Sequence, residues 1–348
     1  MRPLLKALLI AVAALFTVTP GLAAETPPGV AVAEARTIPQ VKSFGWYNYF
    51  VPRADEGVAA FYTDVLGLPL IRSVKGGDHP NDFFWAGEAV IFEIIYEGQK
   101  GPAEPIESDP DTAPLVAVYR VHDLPGIIAS LTAKGAKVSA IRAAANGHEA
   151  FVTDPRGYLT GLREISETSK AAADVEARRR WKRGEAFNPG SHPMPPGFQD
   201  LSWIVRRVKD VPAMTAFYRD ALGLKVIGTA NGRALLDMGD ATTLELAPGG
   251  RVSPPPENRT QLPATIIFRV AAMQKLRQKL VDGGGAVVHN LIQWDRGELS
   301  YVADPEGNLI GIEEKYEPSR INQAGPLPSL TEDIEADRRW VEHIAEGR

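Results

Sequence analysis

The stretch Phe61-Tyr62-Thr63-Asp64-Val65-Leu66-Gly67-Leu68 returns far down the chain as Phe217-Tyr218-Arg219-Asp220-Ala221-Leu222-Gly223-Leu224. A turn, Asp154-Pro155-Arg156-Gly157, follows the first copy, and Asp304-Pro305-Glu306-Gly307 follows the second. The string from Asp174 to Trp181 likewise reappears from Asp333 to Trp340, with the same order of acidic, basic and aromatic residues. The spacing far exceeds the roughly 20–50 residues of solenoid repeats, so the chain reads as a duplicated domain.

Outward from the first tag, 46–51 is aromatic and β-branched and predicts a strand. Residues 54–66 have helical spacing and end at Gly67, a residue suited to a left-handed helix end. Strands are predicted over 89–96, 115–121, 151–152 and 159–165, and a helix over 124–134. Proline second and glycine fourth make 154–157 a type I turn. The second half repeats the order, with strands near 201–208, 242–246, 264–270 and 309–313. Pro- and Gly-rich breaks from Gly101 and Gly249 split each half again, giving four β-α-β-β-β modules of α+β class. The expected boundaries are a first domain over 41–168, a helix and linker over 169–199, a second domain over 200–316 and a C-terminal helix over 317–348.

A strand, then FYxDxLGL, then DPxG and a closing strand, met twice in order, resembles the vicinal oxygen chelate superfamily of glyoxalases, bleomycin-resistance proteins and extradiol dioxygenases. The resemblance covers most of 41–166 and 200–315. It implies tandem domains, each a pair of βαβββ modules whose curved mixed sheets enclose a cavity. Metal enzymes of the family place His, Gln or Glu on the first strand of each module and Glu on the last, where they hold a Lewis-acidic divalent ion. Counted from the tags, those positions are Trp46, Glu93, Val116 and Gly161 in the first half, and Trp203, Glu245, Thr265 and Gly311 in the second. One strong ligand remains in each set, so no metal cofactor is expected, with a divalent ion as the alternative. Either tryptophan fills the space of a missing ion beside an ion-paired glutamate, or it walls an aromatic pocket whose polar group is the glutamate.

Strand alternation extends the candidate site. If Trp46 and Trp203 face inward, so do Asn48, Phe50, Val205 and Arg207, and the same parity turns Arg120 and Arg269 inward. The strands before the turns offer Glu149 with Phe151, and Leu299 with Tyr301. The arginines either pair with carboxylates at the cavity mouth or recognise a substrate anion through the guanidinium fork. Glu93, Glu245 and Tyr301 are the candidate catalytic groups, with Glu245–Tyr301 and Glu93–Glu149 as the expected acid–base pairs. His148 is expected on the surface, and the glycines at 283–285 read as a turn.

At the N-terminus, Arg2 and Lys6 precede an apolar run over 7–18 and small residues before Glu25, the pattern of a signal peptide over 1–24 ahead of an extended leader over 25–40. A periplasmic or secreted protein is expected, with no membrane span after cleavage. There is no cysteine, which excludes disulfides, thiolate metal sites and a cysteine nucleophile. The formal charge of −5 argues against nucleic acid as a partner. The expected partner is a small molecule, with the protein a monomer or homodimer. Three functions remain open: a metal-free binding or sequestering protein for an anionic or carbonyl-bearing ligand, a metal-independent isomerase or lyase, and a divalent-metal enzyme of the lyase, epimerase or dioxygenase type.

Overall fold

The computed structural model describes residues 41–52, 57–75, 80–87, 90–97, 105–144, 147–165, 194–238, 242–294 and 297–315. The expected signal peptide, the leader and the helices carrying Trp181 and Trp340 lie outside those residues.

The four modules are present. The first has β1 (Val41–Val51), α1 (Gly57–Ala60) continuing into a π-helical turn over Phe61–Val65, β2 (Leu70–Val74), β3 (Asn81–Trp85) and β4 (Ile91–Tyr96). The second has β5 (Leu115–Val121), α2 (Leu124–Ala133), β6 (Lys137–Val138), β7 (Arg142–Ala144), β8 (Gly147–Thr153) and β9 (Leu159–Ile165). The third has β10 (Phe198–Val208), α3 (Val211–Phe217) with a π-helical turn over Tyr218–Leu222, β11 (Lys225–Ala230), β12 (Arg233–Asp237) and β13 (Thr243–Pro248). The fourth has β14 (Ala264–Val270), α4 (Met273–Asp282), β15 (Ala286–Trp294), β16 (Gly297–Ala303) and β17 (Leu309–Lys315). Among the described residues no helix is long and apolar enough to cross a membrane.

Local chemistry sets the helix ends. Asp123 and Asp210 accept from the backbone N–H of Gly126 and Ala213, and a proline stands in the first turn of α2 and of α3. Gly67 and Gly223 close the two tags at φ +79° and +94°, a left-handed conformation that costs glycine nothing. Gly157 and Gly307 donate to Asp154 O and Asp304 O at 3.0 and 2.9 Å, which closes both DPxG turns.

The modules share sheets across the two halves of the chain. One sheet runs β15-β16-β17-β14-β1-β4-β3-β2 and joins the first module to the fourth through antiparallel β1–β14. The other runs β11-β12-β13-β10-β5-β9-β8-β6, with β7 beside β8, and joins the second to the third through β10–β5. The curved mixed sheets follow the expectation, but each cavity face combines modules from different halves instead of neighbours in sequence. Every module offers its first strand as an edge, and pairing those edges across halves leaves the backs of both sheets to cover each other.

That shared back is the main core. Tyr47, Tyr49, Tyr119, Ile204, Phe268 and the helical residues Tyr62 and Tyr218 belong to it. Tyr47 and Tyr119 join the sheets by hydroxyl contact at 3.0 Å, and Tyr49 stacks on Tyr158 with ring centroids 4.1 Å apart. Both faces of β1 and β10 are covered, so Asn48, Asp200, Ser202, Arg206 and Arg207 are buried among the apolar residues of these strands.

Candidate functional site

Each sheet buries a second face, its cup, opposite the shared core. In the first cup, Trp46, Ile91, Ile267, Leu299, Tyr301 and Leu309 form an apolar cluster, with Asn48 beside Glu93 on neighbouring strands. In the second, Trp203, Val205, Val116, Val118, Phe151 and Leu159 do the same, with Val205 beside Glu245. Of the residues that parity turns inward, Trp46, Leu299 and Tyr301 lie in the first cluster and Trp203, Val205 and Phe151 in the second, and the sheet pairing regroups them. Glu93 shares its cup with Tyr301, and Glu245 shares its cup with Glu149. The pairs expected from sequence order, Glu245–Tyr301 and Glu93–Glu149, are not brought together.

The ligand positions regroup in the same way, as Trp46, Glu93, Thr265 and Gly311 in one cup and Trp203, Glu245, Val116 and Gly161 in the other. These residues do not fit a divalent ion. Indole, glycine and valine supply no ligand, and the Thr265 hydroxyl donates to Leu309 O at 3.0 Å. Apolar branches fill the room of the missing carboxylates: a Cβ added to Gly161 would stand 2.7 Å from Val118 Cγ2, and one added to Gly311 would stand 2.6 Å from Ile267 Cγ1. Among the described residues no three His, Asp or Glu side chains are grouped to hold a metal.

The two glutamates occupy matching places with different neighbours. Glu245 accepts from Arg163 Nη1 at 2.9 Å and from Arg233. Burial pushes its carboxyl up, but the two guanidinium groups outweigh burial and hold it below the ordinary range. Arg163 also donates to Glu149 Oε2 at 2.7 and 3.0 Å and lies 4.9 Å from the centre of the Trp203 ring. Arg142 completes the lattice, reaching Glu149 at 3.0 Å and Asp111 at 2.9 Å. Phe151 is capped by Arg142 at 4.8 Å.

In the first cup Glu93 has a neutral hydrogen-bond donor, Asn81 Nδ2 at 2.9 Å. Burial raises its carboxyl to about 7, opposed by the Asn81 bond and by the charge of Arg259, and reinforced by Glu97 and Glu313. Tyr301 is pushed up to about 12, chiefly by burial, with Arg259 opposing. Arg259 pairs with Glu97 and lies 5.8 Å from the Tyr301 ring centre, and Arg269 lies 6.0 Å from that of Trp46. Asn48 is fully buried near Tyr301, and neither of its amide atoms has a hydrogen-bond partner of normal geometry among the described residues.

The remaining sequence candidates are buried with other roles. Phe50 is inside without joining either cup cluster. Arg120 is buried on β5, facing the same way as Val116 and Val118. Arg207 braces a loop, donating to Pro248 O at 3.1 Å and Pro110 O at 2.5 Å. His148 is exposed as expected.

Asn81, Arg163, Arg233, Arg259 and Glu313 were not among the sequence candidates. Parity would have found Arg163 and Glu313, each two residues beyond the strand glycine of its cup. Asn81 and Arg233 stand on third strands that carry no tag, and Arg259 stands in a loop without periodicity.

The geometry agrees with what the chain is similar to. Maize glyoxalase I shares 17% identity at a TM-score of 0.56, over 78% of this chain and 92% of that one. A candidate dioxygenase of Bacillus subtilis strain 168 shares 12% identity at a TM-score of 0.55, over 88% of this chain and 97% of that one. At these identities the likeness speaks for the fold alone. No curated protein matches. The model of one family matches residues 43–162 and again 200–312, and the chain accordingly belongs to the Glyoxalase/Bleomycin resistance protein/Dioxygenase superfamily.

Proposed function

We propose that this is an exported superfamily member that takes a small anionic or carbonyl-bearing organic molecule into the cup of the first and fourth modules without a metal ion, with Glu93 as its proton-handling group. The carrying observation is the contrast between the cups. Arg233 and Arg163 of one are replaced at the matching positions by Asn81 and Glu313 of the other, so Glu245 is locked by charge while Glu93 is held by an amide. A carboxyl that titrates near neutrality is matched to general acid–base work.

In that cup a carbonyl ligand would stack on Trp46 and direct its oxygen to the Asn48 amide. Glu93 as carboxylate would take a proton from the carbon beside the carbonyl, breaking C–H and forming O–H, and return it to the same or the adjacent carbon. The net reaction is an isomerisation and needs no redox partner. The cup holding Glu245 serves a different purpose, since its carboxylates are consumed by guanidinium groups.

The test uses the purified mature protein with a panel of 2-oxo acids and 1,2-dicarbonyl compounds in deuterated water. The expected result is deuterium incorporation beside the carbonyl above the buffer rate, lost in Glu93→Gln. Binding without incorporation would replace catalysis by sequestration. Elemental analysis of the same sample would overturn the metal-free reading if it found about one transition metal per chain. Export is tested by the mass of the secreted chain, expected to begin at Glu25.

A further inference from the structure

Strands β3 and β12 hold matching places in the two cups and differ at every residue they turn inward. β3 presents Asn81, Phe83 and Trp85, and β12 presents Arg233, Leu235 and Asp237, each partly exposed between buried neighbours. The register makes the positions equivalent. Phe83 pairs with Glu93 as Leu235 does with Glu245, and Trp85 pairs with Ile91 as Asp237 does with Thr243. The amide that stands in place of Arg233 is therefore accompanied by two aromatic rings.

Ladder pairing places those rings. Trp85, Ile91, Trp46 and Ile267 form one row across β3, β4, β1 and β14, and Phe83, Glu93, Asn48 and Thr265 form the next. Neighbouring strands stand about 4.8 Å apart, so Phe83 is the direct neighbour of Glu93 and Trp85 stands one row away.

Phe83 and Trp85, with Ile71, Val288 and Ile292, are partly exposed apolar side chains packed on the buried cluster of Trp46 and Tyr301. The cluster of the second cup has no such border among the described residues. A single exposed apolar side chain needs no explanation. Two rings side by side on the face of Glu93, at positions that hold Leu235 and Asp237 in the other cup, mark a contact surface. An aromatic ligand gains offset-stacked or edge contacts there that a saturated body of the same size does not make.

We propose that the first cup selects an aryl carbonyl compound: the ring of the ligand lies against Phe83 and Trp85, and its carbonyl group, attached directly or through one carbon, reaches the row of Glu93 and Asn48. This rests on the first cup being the ligand site and adds the class of molecule. Phe83 and Trp85 determine specificity and take no part in proton transfer.

The reporter is 4-fluoroacetophenone, added to the full mature chain and followed by fluorine NMR. It is displaced in turn by acetophenone and by cyclohexyl methyl ketone, which has the same carbon skeleton without the aromatic ring. Acetophenone should displace the reporter at about tenfold lower concentration. Trp85→Leu should weaken acetophenone about tenfold and cyclohexyl methyl ketone less than twofold, closing the gap, and Phe83→Leu should act in the same direction. Circular dichroism checks the fold of each variant; if Trp85→Leu fails to fold, Phe83→Leu decides. Absence of saturable binding, equal displacement by the two ketones, or a gap that survives the deciding substitution would overturn the inference. The proton-transfer reading fails separately: a protein that prefers the aryl ketone but incorporates no deuterium loses Glu93 as proton carrier and keeps its aryl specificity.

Discussion

The Tyr62 hydroxyl donates to Asp154 Oδ2 at 3.1 Å, and Tyr218 does the same to Asp304 Oδ2 at 2.8 Å. The tyrosine of each FYxDxLGL tag is thus bonded to the aspartate of the following DPxG turn. This is the physical reason the two tags occur as a pair. The other oxygen of Asp154 accepts from the backbone of Arg156 and Tyr158, so the turn is held from both sides. Sheets are shared between the halves of the chain, and this bond ties each half to itself.

Replacing Tyr62 by Phe should cost about 1–3 kcal/mol, because a buried carboxylate loses a donor. Burial raises Asp154 to about 6, with the bonds from Tyr158, Arg156 and Tyr62 opposing. The lost bond favours the ionised form, so the cost is largest above pH 6 and shrinks as Asp154 protonates below it. Urea unfolding of wild type and Tyr62→Phe at pH 8 and pH 5 should show the gap narrowing in acid; a gap that widens would contradict the assignment.

Glu93 carries the opposite signature to a salt-bridged acid. Its folded pKa of about 7 exceeds the ordinary glutamate value of 4.5, so the folded state binds the proton more tightly and stability falls as pH rises from 4.5 through 7. The penalty at pH 8 amounts to about 3 kcal/mol. Glu93→Gln removes it. The variant should match wild type near pH 4 and exceed it at pH 8 in urea midpoint, and equal pH slopes for the two proteins would refute the burial argument.

Arg163 serves Glu149 and Glu245 together. Replacing it with Met leaves two buried carboxylates short of their shared cation, a change that costs about 3–5 kcal/mol when a buried pair is broken. The arginines hold the Glu245 carboxyl below its ordinary range, so the loss should ease at low pH as Glu245 takes up a proton. Calorimetry across pH 4–8 measures it, and a pH-independent loss would mean that packing, not charge, is Arg163's contribution.

Gly161→Ala and Gly311→Ala should each destabilise by about 1–3 kcal/mol through overpacking against Val118 and Ile267. Shaving the neighbour should restore part of the loss, so Gly161→Ala in a Val118→Ala background should cost less than in wild type. Strict additivity in that double-mutant cycle would show that the contact is not the cause.

The duplication and the module order were legible in the sequence, and so was the strand parity that sets Trp46 beside Asn48 and Trp203 beside Val205 on one face of each strand. Each rests on spacing within one strand or one strand–helix–turn segment, and local geometry does not depend on partners. Which modules share a sheet was not legible, because β1, β5, β10 and β14 all begin their modules with the same strand role and offer equivalent edges. The choice of β1–β14 and β5–β10 is made by the packing of the two sheet backs around Tyr47 and Tyr119. That choice sends Tyr301 to Glu93 and Glu149 to Glu245. Charge partners across a cup come from strands far apart in the chain, so the tertiary structure alone decided that one glutamate is locked by arginine and the other is left to titrate near neutrality.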